Sequence, residues 1–219
     1  VRVVAHRTCL GSSVGEIREW LKRACDLGVE NIVALRGDPP KDQPDFRPAA
    51  DGLAHANELV ALIRREFPHL GIAVAGYPET HREARSPEVD LGHLKRKVQA
   101  GADIVLTQLF YDNADFLDFR RRYQQIGIRA PLIPGILPVI SLNQIQRIVS
   151  LCGAKMPPAL LASLEAQRDD PAGQLRVGVE HAIRQCQALI DHGVPGLHFY
   201  VLNKSEAPVQ ILRALQLPG

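Results

Sequence analysis

The chain has 219 residues, of which 46% are hydrophobic and 23% are charged, and its formal net charge at pH 7 is +2. This length and composition predict one globular domain, 1–219, with a buried core. A net charge near zero, with no cationic run longer than Lys95-Arg96-Lys97, argues against a nucleic-acid partner.

No signal-peptide pattern is evident, and no apolar run is long enough to span a bilayer, so we expect no membrane partner and a cytoplasmic location. The four cysteines form no CxxC pair, and we expect them to be small buried side chains in a reducing compartment. No HxH or HExxH spacing is present, so we predict no metal site.

Six short apolar runs predict strands. The first opens the chain at residues 1–5, and each of the others follows a glycine that we expect to end a helix in the left-handed conformation. Those five runs are 29–35, 72–75, 102–106, 128–133 and 194–202, after Gly28, Gly71, Gly101, Gly127 and Gly193. Nearly continuous apolar residues, instead of alternation, are typical of strands covered on both faces.

The segments between these runs carry apolar stripes at helical spacing. The first begins with the capping-box pattern of Ser13 and Glu16. Two linkers interrupt the alternation: a Pro-rich loop at 39–52, and a longer stretch at 157–171 in which we expect a short extra helix.

Strand followed by helix, six times over, predicts an α/β fold with a parallel sheet, either doubly wound or a TIM (β/α)₈ barrel. No GxGxxG pattern follows any strand, which argues against a Rossmann nucleotide site. We expect polar or turn residues at the carboxyl ends of several strands, and this favours the barrel. They are His6, Arg36-Gly37-Asp38, the segment 77–81, Thr107-Gln108, Pro134-Gly135 and Asn203-Lys204.

A barrel needs eight strands, and this sequence supplies six. The chain opens inside an apolar run and has no initial Met. We therefore interpret the six strands as strands three to eight, with about a quarter of the barrel expected to be missing at the N-terminus.

Seven motifs in order resemble the methylenetetrahydrofolate reductase family. They are HRTC at 6–9, ALRGDPP at 34–40, AGYPETH at 75–81, LKRK at 94–97, TQLFYD at 107–112, PGILP at 134–138 and HFYVLN at 198–203. The resemblance implies a cytoplasmic flavoprotein of one-carbon metabolism and methionine biosynthesis, with non-covalent FAD. It also implies ping-pong kinetics, in which NAD(P)H reduces FAD and leaves before 5,10-methylenetetrahydrofolate is reduced to 5-methyltetrahydrofolate.

The resemblance assigns roles residue by residue. Asp38 would be the catalytic residue, a carboxylate against flavin and pterin that tunes hydride delivery. The folate and nicotinamide pocket would use Asp38, Gln108, Gln144 and Lys204, the last in place of the family's arginine. The FAD contacts would be His6, Arg36, Gly37, Asp38, His55, Ala56, Ala75, Tyr77, His81, Asp90, His93, Arg96 and Lys97, with His93 where some relatives have asparagine.

The residues themselves leave other interpretations open. Asp38 is equally compatible with a turn residue that caps its own backbone. Tyr77 and His81 also fit a Tyr-Pro turn with a surface histidine, and the pair Arg96 and Lys97 also fits a solvated helix face. Gln108 also fits a polar residue satisfied inside a barrel.

Two rival functions remain. One is another flavin barrel, such as a relative of proline dehydrogenase. The other is a non-catalytic flavin-binding fragment or half of a split enzyme. The family's general-acid glutamate and a Thr-containing flavin segment lie on its first two strands, so we expect the 219-residue chain alone to be inactive. The sequence leaves open the choice of NADH or NADPH and whether the chain forms a homo-oligomer.

Overall fold

The computed structural model describes residues 2–39, 46 and 49–215, so Val1, Pro40 and most of the 39–52 loop lie outside the described residues. Within that part of the chain, strands and helices alternate along most of the sequence. They are β1 Val4–Thr8, α1 Val14–Asp26, β2 Asn31–Leu35, α2 Ala56–Glu66, β3 Gly71–Gly76, α3 Pro87–Gln99, β4 Ile104–Leu109, α4 Asn113–Gln125, β5 Leu132–Ile136, α5 Leu142–Cys152, α6 Pro158–Glu165, α7 Pro171–Asp191, β6 His198–Phe199 and α8 Glu206–Ala214.

The six strands form one sheet in the order β1-β2-β3-β4-β5-β6. The pairs β1/β2, β2/β3 and β5/β6 are parallel. A doubly wound sheet reverses its strand order at a switch point, whereas barrel strands follow one another in chain order. The α/β prediction is therefore confirmed, and the strand order is consistent with a TIM-like barrel.

The register of the first strands separates the two faces of the sheet. His6 lies opposite Val33, and Val33 lies opposite Ala73. The neighbouring Arg7 lies over the ring of Trp20 on α1, at 5.3 Å from its guanidinium carbon to the ring centroid. Because side chains alternate along a strand, His6 projects from the face opposite α1, where it is exposed.

The first strand differs from its predicted bounds. It runs from Val4 to Thr8 instead of over residues 1–5, so His6 lies in the middle of the strand and not at its end. The physical reason is the backbone pairing with β2, which continues as far as Thr8 opposite Leu35, beyond the apolar run.

The last three strands were also placed too early or drawn too long. Gln108 lies inside β4 and Gly135 inside β5, where both were expected after a strand end. The final strand consists of only His198 and Phe199, which pair with Gly135 and Ile136. The apolar residues continue beyond Phe199, but the backbone pairing with β5 ends there.

Helix ends were predicted better. The Ser13 hydroxyl accepts a hydrogen bond from Glu16 N at 3.1 Å, and the Glu16 carboxylate accepts one from Ser13 N at 2.8 Å, as the capping box requires. The expected extra helix is α6. Gly28, Gly101, Gly127 and Gly193 have positive φ as expected.

Gly71 is the exception among the five glycines. It begins β3 without a positive φ, and a Cβ there would collide with the side chain of Asn31. A close approach between neighbouring strands, and not a helix end, therefore accounts for this glycine.

The contacts within the chain group it into two compact units. The first unit comprises Val1–Gly76, Leu91–Val105 and Ile128–Pro131, and the second comprises Tyr77–Asp90, Leu106–Gly127 and Leu132–Gly219. The prediction of one domain over 1–219 stays a prediction. Among the described helices, none has the length and apolar character needed to cross a membrane.

All four cysteines are free thiols. Cys9 and Cys186 are buried, as predicted, whereas Cys25 and Cys152 are partly exposed. The expectation of burial was wrong for these two because each lies near the end of a helix, at residues where one side is open to solvent.

Candidate functional site

The loop after β2 carries the predicted Arg36-Gly37-Asp38 sequence immediately beyond the strand end. Gly37 has φ +84°, and a Cβ there would lie 3.0 Å from the Thr8 Cβ, so both its conformation and its surroundings favour glycine. Arg36 Nε donates to the Gly37 carbonyl at 3.1 Å. The Asp38 side chain is 95% exposed, and its Oδ1 lies 3.9 Å from Arg36 Nη2, so its carboxylate is accessible to a ligand.

The first turn of α2 carries two further predicted residues. His55 is the exposed N-cap, and Ala56 is the first helical residue. Glu58 Oε2 accepts from Ala54 N at 2.7 Å and from His55 N at 3.1 Å, which orders the entry into the helix. The amide groups and the dipole of such a helix start favour an anionic group.

The basic residues of α3 differ from one another. Lys97 Nζ donates to the carbonyl of Ala75, near the end of β3, at 2.5 Å. Arg96 and His93 are exposed on the same helix. The interpretation of a solvated helix face therefore fits Arg96, whereas the Lys97 ammonium lies at a strand end. His6, the 36–38 loop, His55, Ala56, Ala75 and these α3 residues all belong to the first unit.

The loop after β3 belongs to the second unit and brings Tyr77 and His81 together. Their rings meet edge to face, with centroids 4.6 Å apart and an interplanar angle of 84°. Between them Thr80 has φ +73°, and its N–H donates to the Tyr77 carbonyl at 3.1 Å. A β-branched residue in this conformation is strained by about 1–3 kcal/mol, so the surrounding contacts must hold the turn in place.

Two hydrogen bonds orient His81. Asp90, which is buried, accepts from the His81 backbone N–H at 2.9 Å through Oδ2. Glu83 N donates to His81 Nδ1 at 3.2 Å, so Nδ1 is the acceptor and Nε2 carries the proton of the neutral ring. Asp90 was predicted as an FAD contact, and its carboxylate here holds the loop that carries His81.

Glu79 was expected only as one of the polar residues in the segment 77–81 after a strand, and its position in the structure is more informative than that. Its Oε2 accepts from Lys155 N at 2.8 Å. Burial, reinforced by the nearby Asp115 charge, raises the pKa of Glu79 to about 7 against the lowering effect of the Lys155 amide. A signal was present in the sequence: a glutamate inside the tight Tyr-Pro turn that directly follows a strand.

Gln108 and Gln144 are both engaged with nearby backbone. Gln108 Oε1 accepts from Leu109 N at 3.0 Å, so its amide nitrogen is the group through which it would contact a ligand. Gln144 Oε1 accepts from Ile140 N at 3.0 Å, while its own N–H donates to the Ser141 hydroxyl at 3.2 Å. Gln144 therefore takes part in capping α5, a role that the sequence analysis did not predict.

The end of the sheet in the second unit is held by Tyr200. Its hydroxyl donates to the Thr107 carbonyl at 3.0 Å, while the Thr107 hydroxyl accepts from Gly135 N at 2.8 Å. A Cβ on Gly135 would collide with the Thr107 carbonyl oxygen and lie 2.8 Å from the Tyr200 ring, which explains a glycine inside β5.

Lys204 lies further along, in the turn before α8. Leu202 and Asn203 have φ of +49° and +60°, and Lys204 N donates to the Val201 carbonyl at 2.9 Å. The Lys204 side chain is exposed. Among the described residues, no group of three or more His, Cys, Asp or Glu side chains is arranged to hold a metal ion.

Comparisons with known proteins add independent evidence. The profile of the family "Methylenetetrahydrofolate reductase" matches residues 1–216. Methylenetetrahydrofolate reductase (NADH) 1 of Arabidopsis thaliana is 37% identical over 99% of this chain and 38% of its own length. Methylenetetrahydrofolate reductase 2 of Saccharomyces cerevisiae is 35% identical over 97% of this chain and 36% of its own length. The chain thus spans less than two fifths of these relatives.

A bacterial relative is nearer in length. The 5,10-methylenetetrahydrofolate reductase of Pectobacterium carotovorum is 35% identical over 96% of this chain and 68% of its own length. A solved structure of a Clostridium thermocellum protein, whose title says that it binds two copies of 5-methyl-5,6,7,8-tetrahydrofolic acid, superposes with a TM-score of 0.53 at 14% identity. It covers 97% of this chain and 93% of that one, a likeness of fold. By the family profile and by identity along nearly its whole length, this chain belongs to the methylenetetrahydrofolate reductase family.

Proposed function

We propose that this chain is the part of a methylenetetrahydrofolate reductase that binds FAD and folate and reduces 5,10-methylenetetrahydrofolate to 5-methyltetrahydrofolate with NAD(P)H. The observation that carries the proposal is the family match over residues 1–216, which includes each loop described above. The activity of the longer relatives is extended to this chain only as part of this proposal, since the chain spans 38% of the plant enzyme.

The residues of the first unit fit FAD. A diphosphate without a glycine-rich loop needs cations or a helix N-terminus, and Lys97 at the end of β3 and the start of α2 at His55 offer one of each. His6 and Asp38 expose polar groups, and Gly37 allows the backbone to approach a ring closely. When bound, FAD would supply the hydride carrier between nicotinamide and folate.

In the second unit, Tyr77 and His81 support the same cofactor. The Tyr77 and His81 rings contact each other edge to face. The bond from Glu83 N to His81 Nδ1 leaves the His81 Nε2–H as the donor of that ring. An aromatic face can cover a flavin ring, and the imidazole N–H can donate to a flavin or ribose oxygen. The complete set that we propose to contact FAD is His6, Arg36, Gly37, Asp38, His55, Ala56, Ala75, Tyr77, His81, Asp90, His93, Arg96 and Lys97.

For folate and nicotinamide we propose Asp38, Gln108, Gln144 and Lys204. The exposed Lys204 ammonium would attract the carboxylates of the glutamate tail, as a point charge where the family's arginine would form a bidentate pair. The Gln108 amide would donate to the pterin or the carboxamide. Asp38 would accept a hydrogen bond from the pterin, and its negative charge would oppose the build-up of further negative charge nearby.

The dinucleotide remains NAD(P)H as a class, because the names of relatives specify NADH in Arabidopsis and NADPH in Caenorhabditis elegans. We further propose that the six strands correspond to strands three to eight of a (β/α)₈ barrel, which agrees with their sequential order.

Flavin titration tests the proposal. The purified chain should shift the visible flavin bands of FAD, and should bind FMN more weakly because FMN lacks the second phosphate. Lys97→Ala should weaken FAD binding more than FMN binding, whereas the matched change Lys95→Ala on the same helix should affect neither. No band shift with FAD would contradict the proposal. Formation of methyltetrahydrofolate, tested beside oxidation of proline, separates it from the rival flavin barrel.

A further inference from the structure

The loop that carries Tyr77 and His81 is fastened at two side chains. Glu79 accepts from the backbone N–H of Lys155 at 2.8 Å. Arg82 donates to the carbonyls of Ser150 and Leu151, at 3.1 Å and 2.7 Å, near the end of α5. These contacts lie on either side of Thr80, and they stabilise its strained backbone conformation.

The second oxygen of Glu79 is the unusual feature. Glu79 Oε1 is buried and has no hydrogen-bond partner among the described residues. The Asp115 carboxyl, on α4, is held beside the Glu79 carboxyl by Lys155, whose backbone N–H donates to Glu79 Oε2 and whose ammonium contacts Asp115 Oδ1. Two ionised carboxylates are both acceptors and cannot bond to each other. A proton on one of them turns this buried contact into a hydrogen bond.

We propose that Glu79 is a positioning residue that holds Tyr77 and His81 for ligand binding by donating a proton to Asp115 in a shared carboxyl–carboxylate bond. This inference rests on the proposed function, since Tyr77 and His81 are placed there as FAD contacts. It identifies a residue and a protonation state on which the binding of that cofactor depends.

The charges around the pair favour this protonation state. Lys155 Nζ contacts Asp115 Oδ1 at 2.7 Å, so one positive charge already balances one carboxylate. Asp112 adds further negative charge near Lys155, and Tyr111 faces Glu79 with a buried hydroxyl. A charge on Glu79 would be a second negative charge, and no cation besides Lys155 is found to balance it in the described part of the chain.

The remaining groups do not change this balance. Cys152 on α5 faces Tyr111, and burial raises the pKa of Tyr111, so its hydroxyl is neutral. Arg82, on the same loop, is directed to the carbonyls at the end of α5. Burial raises the pKa of Glu79 to about 7, so the bond to Asp115 is made and lost within the physiological range.

Loss of the proton has a mechanical consequence. The two carboxylates then repel each other, and the turn loses one of the contacts that hold Thr80 at positive φ. The edge-to-face arrangement of Tyr77 and His81 depends on that turn. If only the protonated form binds, the apparent affinity for FAD falls about tenfold between about pH 6 and pH 8.

The test measures FAD affinity by flavin fluorescence across this pH range. Glu79→Gln keeps an acceptor for Lys155 N and offers an amide donor to Asp115, so it should bind as wild type does at low pH, without the pH dependence. Glu79→Ala should bind weakly at every pH. Asp115→Asn can donate to an ionised Glu79 and should also remove the pH dependence. The control Glu83→Gln, in the same loop, should keep it.

A second readout does not require FAD. Carbon-13 NMR of the glutamate carboxyls, with the Glu79 resonance identified by its absence in Glu79→Gln, should show titration near neutrality. Titration in the ordinary glutamate range overturns the proposal. A pH dependence that persists in Glu79→Gln overturns it as well, and so does equal weakening of FAD binding by Glu79→Gln and Glu79→Ala.

The two proposals fail differently. If wild type binds FAD tightly but independently of pH, the role of Glu79 is wrong and the proposed function stands. If wild type binds no FAD at any pH, the proposed function is wrong, and the positioning role is overturned with it even where the carboxyl titrates near neutrality.

Discussion

The loops after β2 and β3 carry charged and aromatic residues at the same place in the strand–helix repeat, yet they are built differently. After β2, the Asp38 side chain is 95% exposed, and its Oδ1 lies 3.9 Å from Arg36 Nη2, a long distance for an ion pair. After β3, Glu79 and Asp90 are each bonded to backbone N–H groups. The first loop relies on its backbone, chiefly Gly37, whereas the second relies on side chains.

The carboxylate after β2 is accessible to a ligand, whereas the carboxylates after β3 are already held in place by the protein. An exposed carboxylate has ordinary solvation and gains its interactions when a ligand arrives, so its substitution should affect function and hardly affect folding. A buried carboxylate is already committed to the fold, and its substitution should affect both. Four experiments probe this contrast, beginning with the largest expected change in stability.

Gly37→Ala should lower the free energy of unfolding by about 2–3 kcal/mol, because alanine resists φ +84° and its Cβ would press against Thr8. Gly92→Ala on α3, where a Cβ meets nothing within 4 Å, is the control and should be neutral or stabilising. Urea unfolding of both variants measures the difference. Equal stability of the two would mean that the loop after β2 is not held by its backbone.

Arg82→Ala should cost about 1–2 kcal/mol, because two carbonyls at the end of α5 lose a charged donor. Arg85→Ala, an exposed arginine three residues further on, should change stability by less than about 0.5 kcal/mol. Thermal unfolding at matched pH compares them. If the Arg82 variant is as stable as the Arg85 variant, the Arg82 hydrogen bonds do not stabilise the loop after β3.

The stability of wild type should fall as pH rises from about 4.5 through about 7. The pKa of Glu79 is raised from 4.5 to about 7 in the folded state. The protonated carboxyl therefore stabilises the fold fully below about pH 4.5, and this stabilisation is lost as the pH rises through about 7. Relative to Glu79→Gln, we expect a change of about 1–2 kcal/mol, less than the full shift implies because the group is only partly buried. Parallel urea titrations of both proteins that show no relative change would contradict this.

Asp38→Asn should leave stability within about 0.5 kcal/mol of wild type, because the side chain is almost fully exposed. Under the proposed function it should slow reduction of folate more than reduction of flavin by NAD(P)H, since the lost charge faces the pterin. Rapid-mixing measurements resolve the two half-reactions, and Asp26→Asn on α1 serves as the exposed control. Equal losses in both half-reactions would argue against a folate-specific role.

Local patterns predicted much of the architecture. The Ser13–Glu16 capping box, the strand–helix repeat and four of the helix-ending glycines depend on residues close in sequence, and the structure has all of them. Strand bounds were less predictable, because a ladder ends where its partner ends. β1 continues to Thr8 opposite Leu35, and β6 stops after Phe199 although apolar residues follow.

The candidate site divides along the same line. Its residue types and order were legible in the sequence: Arg36-Gly37-Asp38 after one strand and Tyr77 to His81 after the next, in the motifs of the family that the comparisons show. The protonation state of Glu79 could not be predicted from the sequence. It is set by Asp115 and Lys155, which are 36 and 76 residues away in the chain, and by burial that exists only after folding. The sequence by itself therefore determined the family and the order of the loops at the strand ends. Tertiary contacts decided which carboxylates face solvent and which share a proton, because desolvation and the proximity of charges arise only when distant segments pack together.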